Sequence, residues 1–310
     1  MCINKLLGKA IPADSSIEEA LNATGLNFEV KMVKGVNSID DDGNIFTSDR
    51  EQTCCRLDTN AIMGVHKSRY KPLQNHELFE VGWSTSGTFT PVSAIGFDEG
   101  RRPTLFLEGK EEEISFGDRT ISRMVLINSH DGSTTFSATP TVYRISSDIL
   151  IPLRFQHGKT GRSYAMRHDG SIQQKIEVMK KALIEYAIDQ NTWYTNVTQF
   201  KKRTLSRDEL IAFWGEIYER LVKKPITEEE KDEAALRIKG WETNMSKDTT
   251  VDIATPDLWV ASAAVVQDLQ HSDPIRRRGD WETKRIEKNI IGDTAAKTAD
   301  IFQKAMSWLT

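Results

Sequence analysis

Residues 171–186, SIQQKIEVMKKALIEY, are where the hydrophobic pattern of the chain changes. Ile172, Ile176, Met179, Leu183 and Tyr186 fall on one stripe of a 3.6-residue helix, and Ser171 and Gln174 have the spacing of a capping box at its start. Before Ser171 apolar and polar residues alternate; after it the apolar ones recur every three or four positions. Strands first and helices afterwards predict an α+β protein.

Toward the N-terminus, residues 61–65, 89–97, 104–108, 122–128 and 134–145 read as short strands separated by Gly, Asp and Asn clusters, the mark of an antiparallel sheet. Only residues 75–81 look helical among them, with Gln74 and Asn75 as entry caps. Earlier still, Ser16 and Glu19 form a capping box and Gly25 a left-handed stop, which predicts a helix over residues 16–24. Phe28, Val30, Met32 and Val36, with Glu29 and Lys31 between, then give a strand that turns at IDDDGN before Ile45. Toward the C-terminus, Ser206 with Glu209 and Thr227 with Glu230 mark two more helix starts, and Thr255-Pro256 and Asp293 open two others. The expectation is a curved antiparallel sheet with packed helices over residues 1–170, and a helical C-terminal subdomain over residues 171–310 packed on it.

With 310 residues, 28% charged and 38% hydrophobic, the composition is that of a globular protein. No apolar run is long enough for a bilayer span, and the start MCINKLLGKAIPADSS is too short for a secretory signal, so a cytoplasmic protein with no membrane partner is expected. Cys2, Cys54 and Cys55 are odd in number, and two are adjacent, which favours reduced thiols. The net charge of -4 hides a gradient: residues 151–224 carry 14 Lys/Arg against 8 Asp/Glu, while residues 1–60 carry 6 against 10 and residues 225–310 carry 12 against 16. A polyanion would meet the middle of the chain.

The segment Gly158-Lys159-Thr160 resembles the end of a phosphate-binding P-loop, but Leu153 stands where the loop needs its first glycine. GxGxxG, HExxH, GxSxG and CxxC are also absent, so no cofactor is expected. One tetrapeptide occurs twice, His130-Asp131-Gly132-Ser133 and His168-Asp169-Gly170-Ser171. Adjacent His and Asp, doubled, could hold the metal pair of a nuclease through His130, Asp131, His168 and Asp169. The simpler reading makes Asp131-Gly132 the centre of a two-residue hairpin turn and Ser171 a helix cap.

Residues 154–168 carry Arg154, Lys159, Arg162 and Arg167 with Phe155 and Tyr164 around a Gly158 to Gly161 tip, which is cationic and aromatic chemistry suited to phosphates and unpaired bases. Lys201, Lys202 and Arg203 form a second cationic cluster, and Lys175, Lys180 and Lys181 a third, off the apolar stripe of their helix. The predicted DNA-binding residues are therefore Arg154, Lys159, Arg162, Tyr164, Arg167, Lys175, Lys180, Lys181, Lys201, Lys202 and Arg203.

Residues 23–33 (ATGLNFEVKMV), 63–77 (MGVHKSRYKPLQNHE) and 127–133 (INSHDGS), then Thr139-Pro140, Arg144, Met166-Arg167-His168 and Leu258-Trp259 with Asp268 and His271, resemble the motifs of the phage/plasmid-like protein family, catalogued as domain of unknown function nine hundred thirty-two. The likeness covers nearly the whole chain. It departs at Ser146-Ser147-Asp148-Ile149-Leu150, where the family has a Cys- and Asn-bearing step, and at Phe28, where it has Trp. The resemblance implies a mobile-element origin in a host cytoplasm, beside DNA replication and recombination genes, and implies no catalytic residues. The leading expectation is DNA binding, single-stranded above all, in recombination or replication, on a scaffold able to assemble with its own copies. Two alternatives come from other classes: the metal-dependent nuclease above, and a protein that inhibits a host defence factor through a phage or host protein partner, for which the acidic flanks suit.

Overall fold

The alternating segments pair into two antiparallel sheets where the sequence predicts one, as a computed structural model of the chain shows. Residues 7–85, 87–115, 117–152, 164–248, 255–271, 281–290 and 292–309 are described. Strand β1 (Lys9–Ala10) precedes helix α1 (Ile17–Thr24), where Ser16 Oγ accepts from Glu19 N at 3.3 Å and Glu19 Oε2 accepts from Ser16 N at 2.8 Å. Strands β2 (Val30–Ile39), β3 (Ile45–Arg56) and β4 (Ile62–Lys67) form a three-stranded meander in which Met32, Cys54 and Gly64 stand in one row. Its inner face buries Val30, Cys54 and Met63, and its outer face leaves Val33, Ile62 and Val65 exposed.

The larger sheet runs β1, β5 (Thr90–Gly96), β6 (Arg102–Ser115), β7 (Asp118–Ile127), β8 (Phe136–Arg144), β10 (Tyr164–Met166), with β9 (Ile149–Pro152) also on β8. Alternation sends Leu105, Leu107, Met124, Leu126 and Val142 to one face, and Phe106, Val125, Ile127 and Tyr143 to the other. The first face meets α2 (Asn75–Trp83), α4 (Ile172–Lys202) and α7 (Leu258–His271), backed by α5 (Arg207–Leu221), α6 (Glu228–Ser246) and α9 (Asp293–Met306). The second is covered by Ile286 and Ile290 of α8 (Trp281–Ile290), a helix the sequence reading misses. Because both faces are covered, β8 is buried along its whole length, its polar Ser137, Thr139, Thr141 and Arg144 included. One continuous core joins Phe79 and Met124 of the sheet half to Ile176, Trp214, Trp241 and Trp259 of the helices.

Two connections differ from expectation. Strand β7 ends at Ile127 and β8 begins at Phe136, so Asp131-Gly132 lies within a broad loop. Gly132 is left-handed at φ 74, while Asp131 is not, and Asp131 Oδ1 instead accepts from Ser133 N at 2.9 Å. Between β5 and β6 a left-handed turn, α3 (Phe97–Gly100), places Asp98 at φ 49 and Glu99 at φ 57, held by Arg101 N donating to Asp98 O at 3.0 Å and Arg56 Nη1 to Glu99 O at 3.5 Å.

Where the larger sheet meets the helices lies a buried ion network. Arg144 is fully buried and donates from Nε and Nη2 to the two oxygens of equally buried Asp118 at 2.8 and 2.9 Å, and from Nη1 to Asp248 at 2.7 Å. Asp118 Oδ2 also accepts from Trp259 Nε1 at 3.0 Å and faces Lys201 Nζ at 3.1 Å, which reaches Asp257 at 3.4 Å. Burial pushes the Asp118 carboxyl pKa up, but the charges of Arg144 and Lys201 and their hydrogen bonds outweigh it and hold the group below its usual range. Lys201, expected on a DNA-binding surface, is thus committed to joining α4 to the sheet and α7.

Candidate functional site

The end of β4, the loop at residues 128–135 and the residues after β10 meet on one side of the molecule. Their approach depends on Gly64: a Cβ there would lie 2.7 Å from Asp131 Cα and 3.0 Å from His130 O, both backbone atoms that cannot swing aside. Gly64→Ala should therefore cost about 1–3 kcal/mol by overpacking, measured by urea denaturation; a stability equal to the parent's would show that loop and strand separate freely.

Across this contact His66 Nε2 donates to His130 O at 2.8 Å. The His66 ring stacks on Tyr70, centroids 3.7 Å apart and 9° from parallel, and Tyr70 also lies against His168 at 5.0 Å. Tyr70 Oη donates to Ser129 O at 2.7 Å, and Lys71 N to His168 O at 2.8 Å. Asn75 fixes the third imidazole. Its Nδ2 donates to Leu26 O at 2.9 Å, so its Oδ1 is left to face His130 at 2.9 Å, and His130 must donate from Nε2. That tautomer leaves Nδ1 of His130 as a bare acceptor.

Burial, reinforced by the neighbouring His168 and His66, pushes the His130 pKa down to about 3 against a weaker pull from Asp131. Burial likewise takes His168 down to about 4; the Lys71 backbone and Asp169 pull it up more weakly, and His66 and Lys175 push it further down. Both rings are neutral at pH 7. His130 Nδ1 and both ring nitrogens of His168 are buried with no hydrogen-bond partner among the described residues. Each such atom costs on the order of 1–3 kcal/mol.

Above them opens a groove of about 360 Å³. Lys67, Arg69 and Arg167 stand exposed around it, with the hydroxyls of Ser133, Thr134 and Thr135. Asp169, the carboxylate that feels both arginines, is taken by Lys175 Nζ at 2.5 Å.

The metal constellation is not assembled here. His130 is spent on Asn75, Asp131 on the Ser133 amide and hydroxyl, and Asp169 on Lys175. Among the described residues no group of three or more His, Cys, Asp or Glu is placed to hold a metal ion. Strand alternation separates the vicinal cysteines, burying Cys54 and pushing its thiol up to about 12, while Cys55 is half-buried.

The expected cationic track is dispersed. Arg154, Lys159 and Arg162 lie outside the described residues, and Tyr164 pairs through its backbone with Ala138. Lys175 is tied to Asp169 and Arg167 O, Lys180 to Glu177 at 2.9 Å, and Arg203 to Glu209 at 2.7 Å; Lys181 and Lys202 are exposed. Arg167 is the one of these, among the described residues, that lines the groove. Its partners Lys67, Arg69, His66 and Tyr70 were passed over as site residues, although all stand in the stretch MGVHKSRYKPLQNHE, and that density of cations and rings was the available signal.

Four other residues of the family-like motifs make contacts that hold the fold together. Arg144 and Trp259 belong to the ion network, Asp268 accepts from Trp241 Nε1 at 3.0 Å, and His271 Nε2 faces Asp148 O at 2.8 Å. A family model described as Domain of unknown function (DUF932) matches residues 62–290, a range that takes in every segment lining the groove. No curated protein and no solved structure matches the chain.

Proposed function

The chain belongs to the DUF932 family, and from that premise we propose that it binds DNA, single strands above all, in the recombination or replication of a mobile element such as a phage or plasmid. One observation carries the reading: three segments far apart in sequence meet in a single groove that joins exposed Lys67, Arg69 and Arg167 to aromatic rings and hydroxyls. Ammonium and guanidinium groups answer phosphates, hydroxyls donate to their free oxygens, and rings favour unpaired bases. Annealing two strands asks for nothing more than screening of their charge and a scaffold that holds them. Lys181 and Lys202, exposed on α4, are further cations of the same chemistry outside the groove.

The test is a titration of labelled oligonucleotides at several salt concentrations. Replacing Lys67, Arg69 and Arg167 together by Ala should weaken binding across all sequences and lower the log-log salt slope on single strands, by about 0.7 for each phosphate no longer neutralised. An unchanged slope, or no binding at about 50 mM salt, overturns the reading and brings forward a phage or host protein as partner.

A further inference from the structure

Resting on the reading of this groove as a nucleic-acid site, we infer that its preferred ligand is a phosphate monoester, the terminal phosphate of a strand or that of a free mononucleotide, in place of an internal phosphodiester. The hollow of about 360 Å³ has room for a single small ligand. Three cations surround it, more charge than one phosphodiester requires; a monoester carries about -1.5 to -2 near neutral pH and presents three acceptor oxygens. Asp169, the carboxylate that would repel such a group, is neutralised by Lys175.

A second, independent observation comes from His168. It lines the groove, is 7% exposed, and has no partner for either ring nitrogen among the described residues. A neutral imidazole always carries one N–H, and here no acceptor among those residues meets it in hydrogen-bond geometry, the Lys71 backbone being the group that influences it from nearby. A phosphate oxygen seated among Arg69, Arg167 and Ser133 supplies the missing acceptor after a small shift of the ring. An internal phosphodiester, with two free oxygens and its ester arms leading away on both sides, serves fewer of these donors.

The experiment compares oligothymidylates of about six nucleotides bearing a 5′-phosphate, a 3′-phosphate or neither, by fluorescence anisotropy, and thymidine monophosphate against thymidine by calorimetry. At least one phosphorylated species should bind about tenfold or more tightly than its unphosphorylated counterpart. The double variant Arg69→Ala/Arg167→Ala, at exposed positions, should abolish that ratio, and His168→Gln should reduce it. Lys181→Ala/Lys202→Ala should weaken every oligonucleotide equally and leave the ratio intact. Preference confined to the oligonucleotides identifies a strand end, and preference in the mononucleotide identifies a free nucleotide. Equal affinity with and without the phosphate in every arm overturns the inference while leaving DNA binding standing. A ratio that survives Arg69→Ala/Arg167→Ala places the phosphate elsewhere and overturns it too, and absence of all binding removes both.

Discussion

Replacing Arg144 by Met should lower the melting temperature by roughly 5–10 °C, the largest loss expected from any single side chain of the ion network. The guanidinium is fully buried against Asp118 and Asp248, with Ser147 Oγ at 3.2 Å from Nη1. Removing one partner of a buried pair strands the other charge, at a cost of about 3–5 kcal/mol. Lys201 and Trp259 continue to answer Asp118 in that variant. Adding Asp118→Asn should then cost less in the Arg144→Met background than in the parent, by on the order of 1–3 kcal/mol. Additive losses, or an Arg144→Met variant within about 1 kcal/mol of the parent, would show that the network does not couple sheet to helices.

Acidification from pH 6.5 toward 4 should destabilise the protein more steeply than its carboxylates explain. His130 and His168 are held neutral in the fold, at pKa values of about 3 and about 4, whereas in the unfolded chain they take up protons near pH 6.5. Their folded values are depressed, so the stability they contribute is fully present above pH 6.5 and is lost as pH falls below it, at up to about 1.4 kcal/mol per pH unit for each ring. Asp118, also depressed, acts only below the ordinary carboxylate range. Asp257 and Glu287, whose pKa values burial raises, work in the opposite sense. The measurement is therefore a difference: urea denaturation of the parent and of His168→Gln at pH 7, 6 and 5. The variant should lose less stability over that range, and identical pH dependence would mean that the fold does not shift His168 from its unfolded value.

Much of the secondary structure was legible in the residues because the interactions that set it are local. Ser16 answers Glu19, Ser206 answers Glu209 and Thr227 answers Glu230 within one helical turn, and alternation in β7 and β8 or a 3.6-residue period in α5 reports which side of an element is dry. The α+β class followed from the order of those periods. The expected hairpin at Asp131-Gly132 failed because the loop is shaped by His130 turning inward to Asn75 and by its carbonyl meeting His66, contacts made from other parts of the chain.

The groove lay beyond such reading for the same reason. Lys201 and Lys202 are neighbours in sequence and equal in charge, yet a step of about 100° around α4 turns one toward Asp118 and leaves the other exposed. Charge counts along the chain cannot separate them, since what decides is which carboxylate the fold brings opposite. Lys67, Arg69 and Arg167 came together only when β4, the loop at residues 128–135 and the end of β10 were packed against one another. Local propensity specifies elements over a few residues; the company each side chain keeps is settled by long-range packing, and both the ion network and the groove are built from that company.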